Sequence, residues 1–168
     1  SQVALIDFND ESSVSTFEKC MVYLNQALNC EPIRSETLSD VIQTMSTIFE
    51  KSLEHDSIKS MIFDKLNRIY ESGEQSGLLT IQQYIDWFSI KKGVKGTSSA
   101  FIIIQNALKC FPNEPRLLEL SVSMEYNQEN PNFANILASY AVIIRASPSS
   151  CFSSLDAVFK KFEAPENP

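Results

Sequence analysis

Apolar residues in this chain return every three or four positions in eight separate segments, a pattern that predicts amphipathic helices. The clearest runs from about Glu36 to Glu54, where Leu38, Val41, Ile42, Met45, Ile48, Phe49 and Leu53 stand at offsets 0, 3, 4, 7, 10, 11 and 15. Before it, about Ser15 to Cys30 carries Phe17, Cys20, Met21, Leu24 and Leu28, with Ser15 and Glu18 spaced as a capping box. A third segment is capped by Asp56, carries Ile58, Met61, Ile62, Leu66, Ile69 and Tyr70, and is expected to stop at Gly73. Thr80 and Gln83 introduce a fourth, with Ile81, Tyr84, Ile85 and Phe88, expected to close at Lys91-Lys92-Gly93 because cations followed by Gly suit a helix end.

The fifth segment, Ser98 to Phe111, is apolar on more than one side through Phe101, Ile102, Ile103, Ile104, Ala107 and Leu108. Its β-branched residues also suit a strand, but Ala107-Leu108-Lys109 matches the first segment and favours a helix buried between two neighbours. The sixth starts at Pro115, which a first turn tolerates, and presents Leu117, Leu120 and Met124. The seventh follows Pro131 with Phe133, Ile136, Leu137, Tyr140, Ile143 and Ile144; the eighth, from about Ser150, has Phe152, Leu155, Phe159 and Phe162. Short connections make neighbouring helices roughly antiparallel. The longest joint, Gly73 to Leu79, is read as a loop inside one domain. The expected organisation is an arm or stub of a preceding helix over 1–14, a helical domain over 15–163 and a tail over 164–168.

Four stretches end alike. Leu24 to Pro32, Leu66 to Gly73, Ile104 to Pro112 and Tyr140 to Pro148 align with Ala27, Ile69, Ala107 and Ile143 at one position, in steps of 42, 38 and 36 residues. That period suits stacked helical hairpins, each too small to bury its own apolar face. The second helix of each pair also ends alike, in Phe49-Glu50, Phe88-Ser89, Met124-Glu125 and Phe162-Glu163.

These endings resemble the half-a-TPR (HAT) repeat, whose first helix ends in Ala-Leu-x-x-x-Pro and whose second closes with Phe-Glu. The match is best from Ala107 through Glu125, and Tyr84 with Trp87-Phe88 supplies the aromatics of the preceding repeat. Leu118 stands where the repeat usually has Trp, and Ser121 where it has Tyr. The resemblance implies an all-α fold, an α-solenoid of about four antiparallel hairpins forming a HAT/TPR-like superhelix. It implies a non-catalytic scaffold of a nuclear RNA-processing complex, in 3′-end processing, splicing, ribosome biogenesis or RNA decay. Its partners would be other protein subunits, or a second copy, since several such proteins form homodimers. Other helical solenoids and a closed bundle share the same stripes, and a cytoplasmic setting remains the alternative.

Composition narrows the chemistry. Among 168 residues, 43% are hydrophobic, and only 4 Gly and 7 Pro leave little material for the turns of an all-β fold. The longest apolar run, Ala100 to Ile104, is far short of the roughly 20 residues that cross a bilayer. The start, Ser1-Gln2-Val3, lacks both an initiator Met and a signal-peptide pattern and reads as a piece of a longer chain. Cys20, Cys30, Cys110 and Cys151 have no metal-ligand spacing and are read as small buried thiols of a reducing compartment. A net charge of −7 repels polyphosphate and disfavours direct nucleic-acid binding.

No cofactor, metal or catalytic residue is expected. The single imidazole, His55, lies at a helix junction and reads as a solvated loop residue; phosphate-loop, esterase and metalloprotease motifs are lacking, and Gly93-Val94-Lys95-Gly96-Thr97 reads as a turn. The candidate partner-binding residues are Tyr84, Trp87, Lys91, Lys92 and Lys95. Lys91, Lys92 and Lys95 make the one compact basic cluster, and Trp87 lies off the centre of its stripe, where it either packs on the adjoining hairpin or anchors a partner. Two alternatives stand beside the scaffold: a TPR-type adaptor that captures a short peptide, and a small helical enzyme or lipid carrier built round a closed chamber.

Overall fold

Regular structure in the computed structural model, which describes residues 19, 21–23, 26, 34–53, 56–127 and 131–146, is helical throughout these residues. The helices are α1 (Ser35–Lys51), α2 (Asp56–Gln75), α3 (Ile81–Lys95), α4 (Thr97–Cys110), α5 (Pro115–Tyr126) and α6 (Phe133–Ala146). Lys19, Met21, Val22, Tyr23 and Gln26 are helical as well, and Met21 alone of these is buried. The arm over 1–14, most of the first segment, His55, the eighth segment and the tail lie outside the described residues. The chain divides into two compact units, Ser1–Leu79 and Thr80–Pro168, at the joint that the sequence places inside one domain.

In the first unit α1 buries Leu38, Val41, Ile42, Met45, Ile48 and Phe49, the stripe its spacing predicts. Leu53, at the last predicted offset, lies beyond the helix and is exposed. The α1 stripe packs on α2, which contributes Ile62, Phe63, Leu66, Ile69 and Tyr70, with the Phe49 and Phe63 rings 6.4 Å apart. Each such side chain taken wholly from water contributes about 1.5–3 kcal/mol.

Gly73 does not end α2. It is buried inside the helix, where a Cβ would lie 2.6 Å from Leu79 Cδ2 and 2.9 Å from Leu38 Cδ2, so its missing side chain is the space those leucines occupy. The helix closes at Gly77, whose φ of 65° is left-handed. There the Leu78 N–H donates to the Gly73 carbonyl and the Gly77 N–H to that of Glu74, both at 3.0 Å, which satisfies two carbonyls of the last turn in the Schellman manner.

In the second unit each helix packs on the next along the chain, α3 on α4, α4 on α5 and α5 on α6. Thr80 caps α3 reciprocally: the Gln83 N–H donates to the Thr80 hydroxyl at 3.3 Å, and the Thr80 N–H donates to Gln83 Oε1 at 2.8 Å. The helix runs past Lys91-Lys92-Gly93 to Lys95, because Gly93 keeps helical geometry and Gly96 makes the break. Gly96 alone joins α3 to α4; its φ of 84° and ψ of 168° belong to a region reserved for glycine.

Burial on α4 is narrower than its composition predicts: Ala100, Ile103, Ile104 and Ala107 are buried, whereas Ile102 is 48% exposed. On α5 the buried residues are Leu117, Leu118 and Val122, and Leu120 and Met124 of the predicted stripe are half-buried. The reason is that α5 is flanked on two sides, so its covered arc turns toward α6, where Leu118 and Val122 form one cluster with Ile136, Tyr140 and Ile143. Cys110, read as a buried thiol, is exposed and free at the end of α4.

Candidate functional site

The five residues singled out from sequence occupy one face and the end of α3. Tyr84 and Trp87 are buried, 2% and 3% exposed, with ring centroids 6.4 Å apart; the Phe111 ring meets Tyr84 edge-on at 6.3 Å. Helical spacing then places a lysine one turn beyond Trp87 and another one turn beyond Phe88. Lys91 Nζ lies 5.6 Å from the Trp87 ring centroid and Lys92 Nζ 5.8 Å from that of Phe88, both within cation–π range. Lys91 is half-buried, and Lys92 and Lys95 are exposed at the helix C-terminus, where the backbone carbonyls favour positive charge. Whatever meets this face from solvent therefore meets lysine ammonium groups before it meets the indole.

A second site was not visible in the sequence. A cleft of about 110 Å³ opens over three helices of the second unit, between the middle of α4, the last half of α5 and the first half of α6. Its apolar walls are Phe101, Val122 and Ile136, and Gln105, Ser121, Asn135 and Ser139 set polar groups around them. Glu125 supplies the one charged side chain of the lining, and its Oε1 accepts from the Asn132 N–H at 3.0 Å, just before α6 begins. Asn132 in turn accepts the Asn135 N–H through its side-chain oxygen at 3.2 Å, so the carboxylate is tied to the start of α6. No periodicity test could find this cleft, because its residues face one another only once three helices have taken their rotations.

Arg116 Nη2, at the start of α5, donates to Gln82 Oε1, at the start of α3, at 2.9 Å, so the first turns of these two alternate helices lie side by side.

On α6 the face away from Ile136, Tyr140 and Ile143 is apolar too. Ala134, Leu137, Ala138, Ala141 and Ile144 are all exposed, Leu137 to 43% and Ile144 to 39%, and Arg145 is the sole charge on the helix. Among the described residues no group of His, Cys, Asp and Glu is placed to hold a metal ion, and no helix is long and apolar enough to cross a membrane. Comparisons with protein-family models, with curated proteins and with solved structures return no match for this chain.

Proposed function

We infer that this chain is a non-catalytic scaffold for protein–protein contacts, built as a HAT/TPR-like array of helical hairpins and serving a nuclear RNA-processing assembly. The observation that carries the reading is α6, apolar on two opposite faces with one of them exposed. A helix of this kind is stable in water when another macromolecule or a further hairpin covers its second face. Sequential packing in the second unit, with the starts of α3 and α5 side by side, supports an array, since each helix there rests on its predecessor. Assignment to RNA processing rests on the resemblance of Ala107 through Glu125 to the HAT endings.

The 110 Å³ cleft itself is smaller than the ~300–1,000 Å³ chamber of an enzyme or carrier site and has the size of a contact for one side chain. Affinity capture from nuclear extract tests the reading, with the parent chain beside the Leu137→Asp, Ile144→Asp double variant. The parent should recover RNA-processing proteins, and the variant should lose them while its far-ultraviolet circular dichroism is unchanged. A parent that recovers no such proteins overturns the pathway; a variant that recovers them undiminished overturns the role of the α6 face.

A further inference from the structure

We propose that the cleft across α4, α5 and α6 receives one arginine side chain from a segment of a partner protein. This rests on the scaffold reading and adds what the partner must carry. Volume comes first, because about 110 Å³ admits a single side chain and excludes the larger occupants of small-molecule sites.

Charge selects among side chains. Glu125 is the one acidic side chain of the lining, held at the wall by its bond to the Asn132 N–H, and it makes no ion pair among the described residues. The second unit is balanced overall, 8 Asp and Glu against 8 Lys and Arg over 80–168, so the attraction for a cation here is the local one of the Glu125 side chain. Hydrogen-bonding capacity points the same way. Ser76, Ser89 and Ser99 spend their hydroxyls on carbonyls one turn back, whereas Ser121 and Ser139 make no hydrogen bond among the described residues and line the cleft. Gln105 and Asn135 add side-chain amides, each with an oxygen able to accept, on the other two helices, so polar groups flank the opening on all three.

A guanidinium answers this arrangement better than an ammonium. It carries five donors in one plane, is weakly hydrated, and stacks its flat face on an aromatic ring, here Phe101. The aliphatic stem then lies along Val122 and Ile136.

Amide chemical shifts of the isotope-labelled chain, titrated with a capped pentapeptide holding one central arginine among glycines, test the proposal. Shifts should be confined to Phe101, Gln105, Ser121, Glu125 and Ser139 and their neighbours, and the citrulline peptide, equal in shape and uncharged, should bind about tenfold more weakly. Glu125→Gln keeps an oxygen for the Asn132 N–H and removes the charge; it should weaken the arginine peptide by a similar factor. Ser121→Tyr should fill the cleft and abolish the shifts there, with the remaining spectrum preserved. Silence at the cleft, equal binding of the citrulline peptide, equal binding of a lysine peptide, or indifference to Glu125→Gln would each overturn it. Silence here with RNA-processing proteins still captured removes this inference alone; binding here with none captured removes the pathway and leaves the cleft.

Discussion

Gly73, Gly93 and Gly96 place the same residue type in three environments, and alanine at each tests a different force. At Gly73 the gain of ~1 kcal/mol in helix propensity opposes two buried leucines that stand where a Cβ would go, and overpacking of ~1–3 kcal/mol outweighs it. Gly93 is helical in the last turn of α3 and exposed with nothing within 4 Å, so Gly93→Ala should stabilise by about 0.5 kcal/mol. Gly96 also has open space, yet its backbone is one that side chains avoid, and Gly96→Ala should cost about 1–3 kcal/mol through strain alone. Urea midpoints order the three, with Trp87 fluorescence reporting on the second unit and circular dichroism on the first. A Gly73→Ala chain more stable than the parent would show that Leu38 and Leu79 move aside at little cost. Glycine was read from sequence as punctuation, which was right for neither Gly73 nor Gly93, because a glycine needed for room or simply tolerated in a helix has the same letter as one needed for a turn.

Helices were the most legible scale. The α1 stripe is buried from Leu38 through Phe49 as its offsets require, and Thr80 with Gln83 forms the capping box their spacing announces. Thr80→Ala should remove about 1 kcal/mol, lowering the melting temperature and raising hydrogen exchange at the Gln83 amide, which loses its acceptor. Exchange unchanged at Gln83 would mean that the cap is replaced by water at no loss. The covered arc of α5 was less legible, since Leu118 and Val122 are buried by α6 while a single-helix stripe through Leu117, Leu120 and Met124 assumes one neighbour. Candidate site residues divide the same way. Tyr84, Trp87, Lys91, Lys92 and Lys95 do share one helix, as i, i+4 spacing requires, whereas Phe101, Ser121, Glu125 and Ser139 come from three helices and share no local signal.

Across the whole molecule the charge of −7 is unevenly spread, with 13 Asp and Glu against 6 Lys and Arg over 1–79 and 8 against 8 over 80–168. The three lysines at the end of α3 stand on a unit of zero net charge, and three cations alone release few counterions from a polyphosphate, so only weak binding is expected of them. A labelled single-stranded RNA should show no change of fluorescence anisotropy with micromolar protein at about 150 mM salt. Retention that falls steeply with added salt would instead show that Lys91, Lys92 and Lys95 lie on a phosphate track, and would move the chain from scaffold to RNA-binding subunit.

What the sequence determined by itself is the helical character and most helix starts and stripes, because apolar period, caps and proline positions act within a turn or two of chain. Where a helix is covered by two neighbours, which glycine is crowded, and that eight side chains from three helices enclose a small acidic cleft were decided by tertiary structure. Those properties depend on how each helix is rotated against the next, and that rotation is set by side chains tens of residues apart settling into one another.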